Sequence, residues 1–219
     1  LGADKLLKVY ERLRIGLLRK NALRRIELWI LNHTRHSDGL GAIYPPMVYI
    51  IIALRCLGYD RSSKHVAEAE HQLERLMIED DQSIRFQPCF SAIWDTGIAA
   101  YALTEAGLDE NHEAMVRCAD WLVSKECRQP GDWVANVRVP VGPSGWYFEH
   151  NNSFYPDVDD TAMVSMALSR AGGKKAHEAA QRGVQWTLAM QNDDGGWAAF
   201  DRTKNRPLLE HMPFADHNA

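Results

Sequence analysis

Asp157-Val158-Asp159-Asp160-Thr161-Ala162 places three carboxylates within four positions. The run follows Tyr155-Pro156 and opens an apolar stretch with helical spacing, so it stands where a helix begins. Negative charges that close repel one another, and the repulsion is relieved if at least one carboxyl keeps its proton at neutral pH. A carboxylic acid held protonated beside two carboxylates is a Brønsted acid in need of a substrate. The plain alternative is structural, since Asp is a favoured N-cap and its charge suits the first helical turn. Metal chemistry fits less well. The EF-hand pattern fails because Ala162 stands where Gly is required and Leu168 where a bidentate Glu belongs. No aspartate-rich DDxxD box is present, Gly172-Gly173-Lys174 lacks the frame of a P-loop, and Asp193-Asp194-Gly195-Gly196 reads as a turn. No metal and no cofactor are expected.

The elements that must position this cluster show an internal repeat. Ala53-Leu54 is followed by Leu57-Gly58, Ala102-Leu103 by Ala106-Gly107, and Ala167-Leu168 by Ala171-Gly172. Each phrase closes an apolar helix with Gly where a left-handed C-cap belongs. Trp121 and Trp186 stand 14 residues past the second and third of these glycines. The unit is a helix, a short turn and a second helix, and a series of such pairs makes a solenoid or a closed toroid of hairpins. The spacing predicts helices near 4–32, 45–57, 62–78, 92–106, 111–126, 158–171 and 174–190, with a short extended piece from Trp133 to Val139. The fold class is all-α. Residues 127–157 form a long connection rich in Pro, Gly and aromatics, and a connection of that length in a compact domain is usually functional.

The third repeat carries Trp186, Gln191 and Gly195-Gly196-Trp197. The Gln amide suits backbone at a helix end, with an indole packed across it. Two other copies are worn: Trp29 with Thr34 and Gly39-Leu40-Gly41, and Trp121 with Glu126 and Gly131-Asp132-Trp133. These tryptophans read as clamps rather than catalysts.

Net charge is −4, so nucleic acid is not an expected partner. The first thirty residues depart from that balance, with Lys5, Lys8, Arg12, Arg14, Arg19, Lys20, Arg24 and Arg25 against Asp4, Glu11 and Glu27. Leu6, Leu7, Tyr10, Leu13, Leu17 and Leu18 interleave with these cations, as in a basic amphipathic helix that packs on the protein body or lies on an anionic membrane. Packing is the expectation drawn here. Cys56, Cys89, Cys118 and Cys127 have neither CxxC nor zinc spacing and read as small buried hydrophobes. A start at Leu1 and an end at His217-Asn218-Ala219 suggest a piece of a longer protein.

Asp157 to Ala162 resembles the DxDD acid motif of the squalene–hopene cyclases, and Gln191 with Trp197 resembles their QW repeat. Ser91-Ala92-Ile93-Trp94-Asp95-Thr96-Gly97, Pro130-Gly131-Asp132-Trp133 and Phe148-Glu149 through Phe154-Tyr155-Pro156 resemble further segments in the same order. The resemblance implies an (α/α) barrel enzyme of two domains, both partial here: residues 1–88 in a smaller inserted barrel, and 89–219 beginning the catalytic barrel. Tyr44 in Ile43-Tyr44-Pro45-Pro46, Phe200 in Trp197-Ala198-Ala199-Phe200-Asp201, and Arg202-Thr203-Lys204-Asn205 depart from the commonest family pattern.

The resemblance gives Asp159 the transferable proton, assisted by a His that would lie beyond Ala219, with Asp157 and Asp160 charged to stabilise the developing cation. An ordinary Asp, with a pKa of about 3.9, is a weak acid for an isolated alkene. Preorganised electrostatics must therefore supply most of a barrier reduction of about 8–23 kcal/mol. Phe148, Phe200 and Trp94 match family positions whose rings shield a carbocation, each worth about 0.5–2 kcal/mol. Asp95 is expected to support the acid cluster by hydrogen bonding. The implied activity is class II cyclisation of squalene to a pentacyclic hopanoid, by a homodimer peripheral to the cytoplasmic side of the cell membrane. This piece alone is expected to be inactive. A class II diterpene cyclase would share DxDD but need a diphosphate-binding surface. A non-catalytic α-toroid binding protein would keep the tryptophan clamps with no reason to keep the three aspartates together.

Overall fold

The computed structural model describes residues 2–13, 16–35, 37–152 and 154–203. Lys204, Asn205, the final His217-Asn218-Ala219 and the side chains of Leu17 and Leu18 lie outside the described residues. Backbone contacts divide the chain into two compact units, Leu1–Pro88 and Cys89–Ala219.

In the first unit the long basic stretch forms two helices, α1 (Gly2–Leu13) and α2 (Gly16–Thr34), where one was expected. α3 (Tyr44–Cys56) starts on Pro45 and Pro46, whose fixed φ suits a first turn. α4 (Lys64–Glu74) is capped by Ser63 Oγ, which accepts from Val66 N at 3.4 Å. Ile30, Ile50, Leu54, Val66 and Ala69 form the core between α2, α3 and α4. The expected packing of the basic amphipathic stretch is not seen in α1. Leu6 and Leu13 are 72% and 65% exposed, and Leu7, Val9 and Tyr10 are exposed with them.

Two further expectations need correction. The helix foreseen to residue 78 stops at Glu74, and β1 (Met77–Glu79) pairs antiparallel with β2 (Ile84–Phe86), Ile78 opposite Arg85. Asp80 makes this turn, its Oδ1 accepting from Gln82 N and Ser83 N at 3.0 and 2.8 Å. Cys56 is exposed rather than buried.

The second unit holds α5 (Ala92–Glu105), α6 (Glu113–Ser124), α7 (Val158–Arg170) and α8 (Lys174–Ala189), all within a few residues of the expected spans. The extended piece foreseen at Trp133 is instead a 3₁₀ turn, Asp132–Ala135. The α7–α8 pair repeats α5–α6 at an offset of 65 residues, so Trp186 follows Trp121 and Asp160 follows Asp95. Small residues let the helices close. A Cβ on Gly97 would lie 3.3 Å from Val164 Cγ2 in α7, and one on Gly183 in α8 would collide with Ser165 Oγ and the Trp146 ring. Ile93, Leu122, Trp146, Val164 and Leu168 fill the centre of this unit. Tyr101 takes Arg170 over its ring at 4.4 Å, and Arg170 also pairs with Glu105.

On its other side α7 borders an apolar groove with α8, about 530 Å³, lined by Ala162, Ser165, Met166, Val184 and Leu188 among others. Ala162, Ser165 and Met166 repeat Gly97, Ala100 and Tyr101, and those three positions of α5 are packed against α7. The groove is thus a hairpin-packing face, and Met166, Val184 and Leu188 are about half exposed on it. Residues 1–219 alone should therefore self-associate or take up detergent. Met166→Glu with Leu188→Glu should move the detergent-free elution volume towards that of a monomer. A sharp monomer peak from the unmodified chain in size-exclusion chromatography without detergent would contradict this.

Candidate active site

The long connection returns to the acidic run through Trp146. Trp146 and Asp157 form an antiparallel bridge, in which Asp157 N donates to Trp146 O at 2.9 Å. Thr161 Oγ1 accepts from Trp146 N at 2.9 Å and donates to Trp146 O at 3.3 Å. The indole is fully buried, and its Nε1 donates to Leu122 O near the end of α6 at 2.7 Å. Gly145 makes the approach with φ +101°, where a Cβ would lie 2.9 Å from both Pro156 and Thr161. One indole thereby fixes where α7 starts.

Asp157 is the N-cap of α7, its Oδ1 accepting from Asp160 N at 2.8 Å. The structural reading of the cluster therefore holds for this residue, without removing the chemical one. Asp157 and Asp160 are 7% and 2% exposed, whereas Asp159 is exposed. Asp160 Oδ1 is enclosed without a hydrogen-bond partner among the described residues. Burial pushes the Asp157 carboxyl well above the usual range. Its hydrogen bond to the Asp160 carboxyl and the charges of Asp160 and Asp159 push the same way, against the backbone N–H that Asp157 accepts. Asp160 is raised less: burial and the Asp159 charge raise it, while the bond from Asp157 lowers it. Both carboxyls are pushed above the ordinary range, so the pair as a whole favours keeping a proton. Both shifts run against the expectation that the two stay charged, and among the described residues no salt bridge joins a cation to either carboxyl.

Backbone bonds bring two of the expected aromatic segments to this helix end. Ile93 N at the head of α5 donates to Phe148 O at 3.3 Å, so the run from Trp146 to Phe148 links the starts of α7 and α5. Val158 N donates to Ala199 O at 2.7 Å, which carries Phe200 alongside. Trp94 and Phe148 are half-buried, and Phe200 is 53% exposed, edge-on to Tyr155 at 6.5 Å. Asp95 is exposed and accepts from Ser91 Oγ at 2.7 Å. Among the described residues no hydrogen bond joins Asp95 to the cluster, so the support foreseen from it is not seen.

The Gln and Trp of the third repeat behave as their types suggest. Gln191 Nε2 donates to Gly195 O at 2.9 Å, and Trp197 Nε1 to Thr187 O at 2.8 Å, closing the end of α8. Trp186 meets Trp133 edge to face at 5.7 Å. The sequence placed Glu126 as the worn counterpart of Gln191 but did not foretell its ion pairs. The residue is buried, and Arg182, Arg128 and Ser144 all donate to it. Burial raises its carboxyl, but the Arg182 and Ser144 hydrogen bonds and the Arg182 and Arg128 charges outweigh burial and hold it below the usual value. A buried-position Glu standing where the next repeat has Gln was the available signal.

Residues 90–219 match the squalene-hopene cyclase C-terminal domain, and residues 1–82 the squalene-hopene cyclase N-terminal domain. The chain belongs to the squalene–hopene cyclase family. It is 39% identical to a squalene–hopene cyclase of Bradyrhizobium diazoefficiens over 99% of this chain and 33% of the relative. It is 37% identical to that of Zymomonas mobilis over 92% of the chain and 32% of the relative. For the Alicyclobacillus acidocaldarius squalene–hopene cyclase the identity is 35%, over 97% of the chain and 34% of the relative. The chain spans about a third of the length of the curated relatives it matches. The helical architecture agrees with the all-α toroid fold of this family.

A raised carboxyl in the folded state has a thermodynamic sign. Above its ordinary value of 3.8, folded Asp157 binds a proton that the unfolded chain has released, so stability falls as pH rises from there towards the folded value. Asn caps helices about as well as Asp and has no proton to release. Between about pH 5 and 8, where Glu126 is ionised in both states, Asp157→Asn should flatten the decline of melting temperature with pH and melt higher at pH 7. Thermal melts in mild detergent giving the same slope for both forms would contradict the assignment.

Proposed function

We propose that the protein carrying this chain is a class II triterpene cyclase that protonates squalene at a terminal double bond and cyclises it to a hopene- or hopanol-type pentacycle. The observation that carries the reading is the burial of Asp157 and Asp160, a pair that favours keeping a proton, beside exposed Asp159, in a chain of the squalene–hopene cyclase family. Asp159, once it has taken up a proton from the neighbouring Asp157–Asp160 pair or from solvent, delivers it to the terminal alkene carbon. A C–H bond forms, the neighbouring carbon becomes a tertiary cation, and Asp159 is left as carboxylate. The cation advances as each alkene attacks in turn, and the last one loses a proton to a base or captures water. The rings of Trp94, Phe148 and Phe200 face the cation's path and stabilise it without attacking it. No metal or other cofactor takes part.

The protein acts as a homodimer on the cytoplasmic side of the cell membrane, bound peripherally. Support for the membrane comes from α1, whose Leu6, Val9, Tyr10 and Leu13 are exposed beside Lys5, Lys8 and Arg12. No described helix is long and apolar enough to cross a membrane.

The complete reading frame, incubated with squalene in detergent containing a chelator, should yield a pentacyclic triterpene by mass spectrometry. Loss of product on adding chelator would rule out the cofactor-free step. Asp159→Asn should abolish turnover with the melting temperature nearly unchanged, because the exposed side chain caps nothing. Turnover retained in that variant would remove Asp159 from the proton transfer.

A further inference from the structure

We propose that Glu126 is a positioning residue for the acid at the head of α7, acting through Ser144 and Arg182. The inference rests on the cyclase reading for its catalytic consequence, although its structural part stands without it. The Glu126 side chain is 3% exposed. Arg182 in α8 grips it with two bonds, Nε to Oε1 at 2.9 Å and Nη2 to Oε2 at 2.7 Å. Arg128 and Ser144 Oγ add bonds to Oε1 at 3.0 and 2.7 Å. The grip on Ser144 is the one that matters, because the next two residues reach the acid.

Residues 144–146 are tied on one side to the end of α6. Ser144 is held by Glu126, Gly145 O accepts from Cys127 N at 2.9 Å, and the Trp146 indole donates to Leu122 O. Their other side is tied to α7, where Trp146 exchanges bonds with Asp157 N and with the Thr161 hydroxyl. Arg182 also precedes Gly183, the residue of α8 that lies against the Trp146 ring. Glu126 thus joins α6, α8 and the start of α7 at one carboxylate. Its route to the acid pair is the chain of bonds through Ser144 and Arg182, which acts by placement.

The repeat argues that the charge here is not needed to close the turn. At the equivalent position Gln191 closes the corresponding turn through a single local bond to Gly195 O. A Gln would serve Glu126's own turn as well, whereas only a carboxylate accepts the Arg182 fork together with Ser144. A buried ion pair is weak evidence of stability but a common means of fixing one arrangement.

The test uses Glu126→Gln and Arg182→Gln in the complete protein in detergent. Arg182 is more exposed, with 37% of its side chain accessible, so its variant stands in should the first not fold. Hydrogen–deuterium exchange, read by mass spectrometry on peptides spanning 144–161, should speed by about tenfold in either variant, as buried hydrogen bonds there loosen. A peptide from the middle of α5 should keep its rate. Turnover of squalene should fall about tenfold in kcat with KM unchanged, the pattern of a displaced acid rather than a lost binding contact. Glu126→Asp should recover part of both. Unchanged exchange over 144–161, or equal acceleration in the α5 peptide with unchanged kcat, would overturn the proposal and leave Glu126 a stabilising ion pair. Failure of the unmodified protein to turn over squalene would sink the cyclase reading instead, and the exchange comparison would still decide the role of Glu126.

Discussion

The removal of Asp157 and Asp160 from water is the constraint on which the second unit depends. A helix N-terminus favours negative charge, through its free N–H groups and its dipole. Desolvation disfavours the same charge, and in this site desolvation wins, so the pair retains a proton. Keeping that balance requires surroundings that bring no cation. The segment that pairs with the helix start is the one around Trp146, whose indole is fully buried with its N–H bonded to Leu122 O. A Cβ on Gly183 would collide with this indole, and one on Gly145 would press on Pro156 and Thr161, next to the backbone that Trp146 pairs with.

Two kinds of buried carboxyl therefore coexist within one compact unit, with opposite proton affinities. Glu126 is as enclosed as Asp157, but Arg182, Arg128 and Ser144 hold it in the charged form. Asp157 is offered one backbone N–H and two neighbouring carboxyls. Burial raises both, Asp157 more strongly, and the partners set the direction for Glu126, whose guanidinium and hydroxyl donors outweigh it. Two buried carboxyls in one unit are thus shifted in opposite directions.

Local pattern carried most of what was legible in the sequence. Helices α3, α5 and α7 follow from apolar spacing closed by glycine, although after α7 the left-handed residue is Gly173 and not the expected Gly172. Helices α6 and α8 follow from apolar spacing, and the start of α7 from the capping habit of Asp. Features that depend on residues far apart were not legible. The Glu126–Arg182 pair joins residues 56 apart, and no periodicity announces it. Burial of Asp157 and Asp160 with exposure of Asp159 depends on where the Trp146 segment lands, which the composition of residues 127–157 does not dictate. The β1–β2 pair was missed because two three-residue runs are too short to show alternation, although the Asp80 turn between them was a usable signal. Exposure of Cys56, and of the apolar side of α1, reflects which surfaces the neighbouring elements leave uncovered.

The repeat explains how one scaffold supports these differences. Ala92, Trp94 and Asp95 occupy in α5 the positions that Asp157, Asp159 and Asp160 occupy in α7. The carboxylate they share, Asp95 and Asp160, has opposite surroundings: exposed and bonded to Ser91 in one, enclosed in the other. The N-cap Asp157 and its exposed neighbour Asp159 have no acidic counterparts in α5, so no such carboxyl pair can form there. Thr96, the counterpart of Thr161, returns its hydroxyl to Ala92 O in its own helix, at 2.6 Å, rather than to a covering segment. Packing between the hairpins needs only the small and apolar positions to recur. The helix N-termini are free to diverge, and the Trp146 segment pairs with only one of them, the start at which two of the three carboxyls are buried.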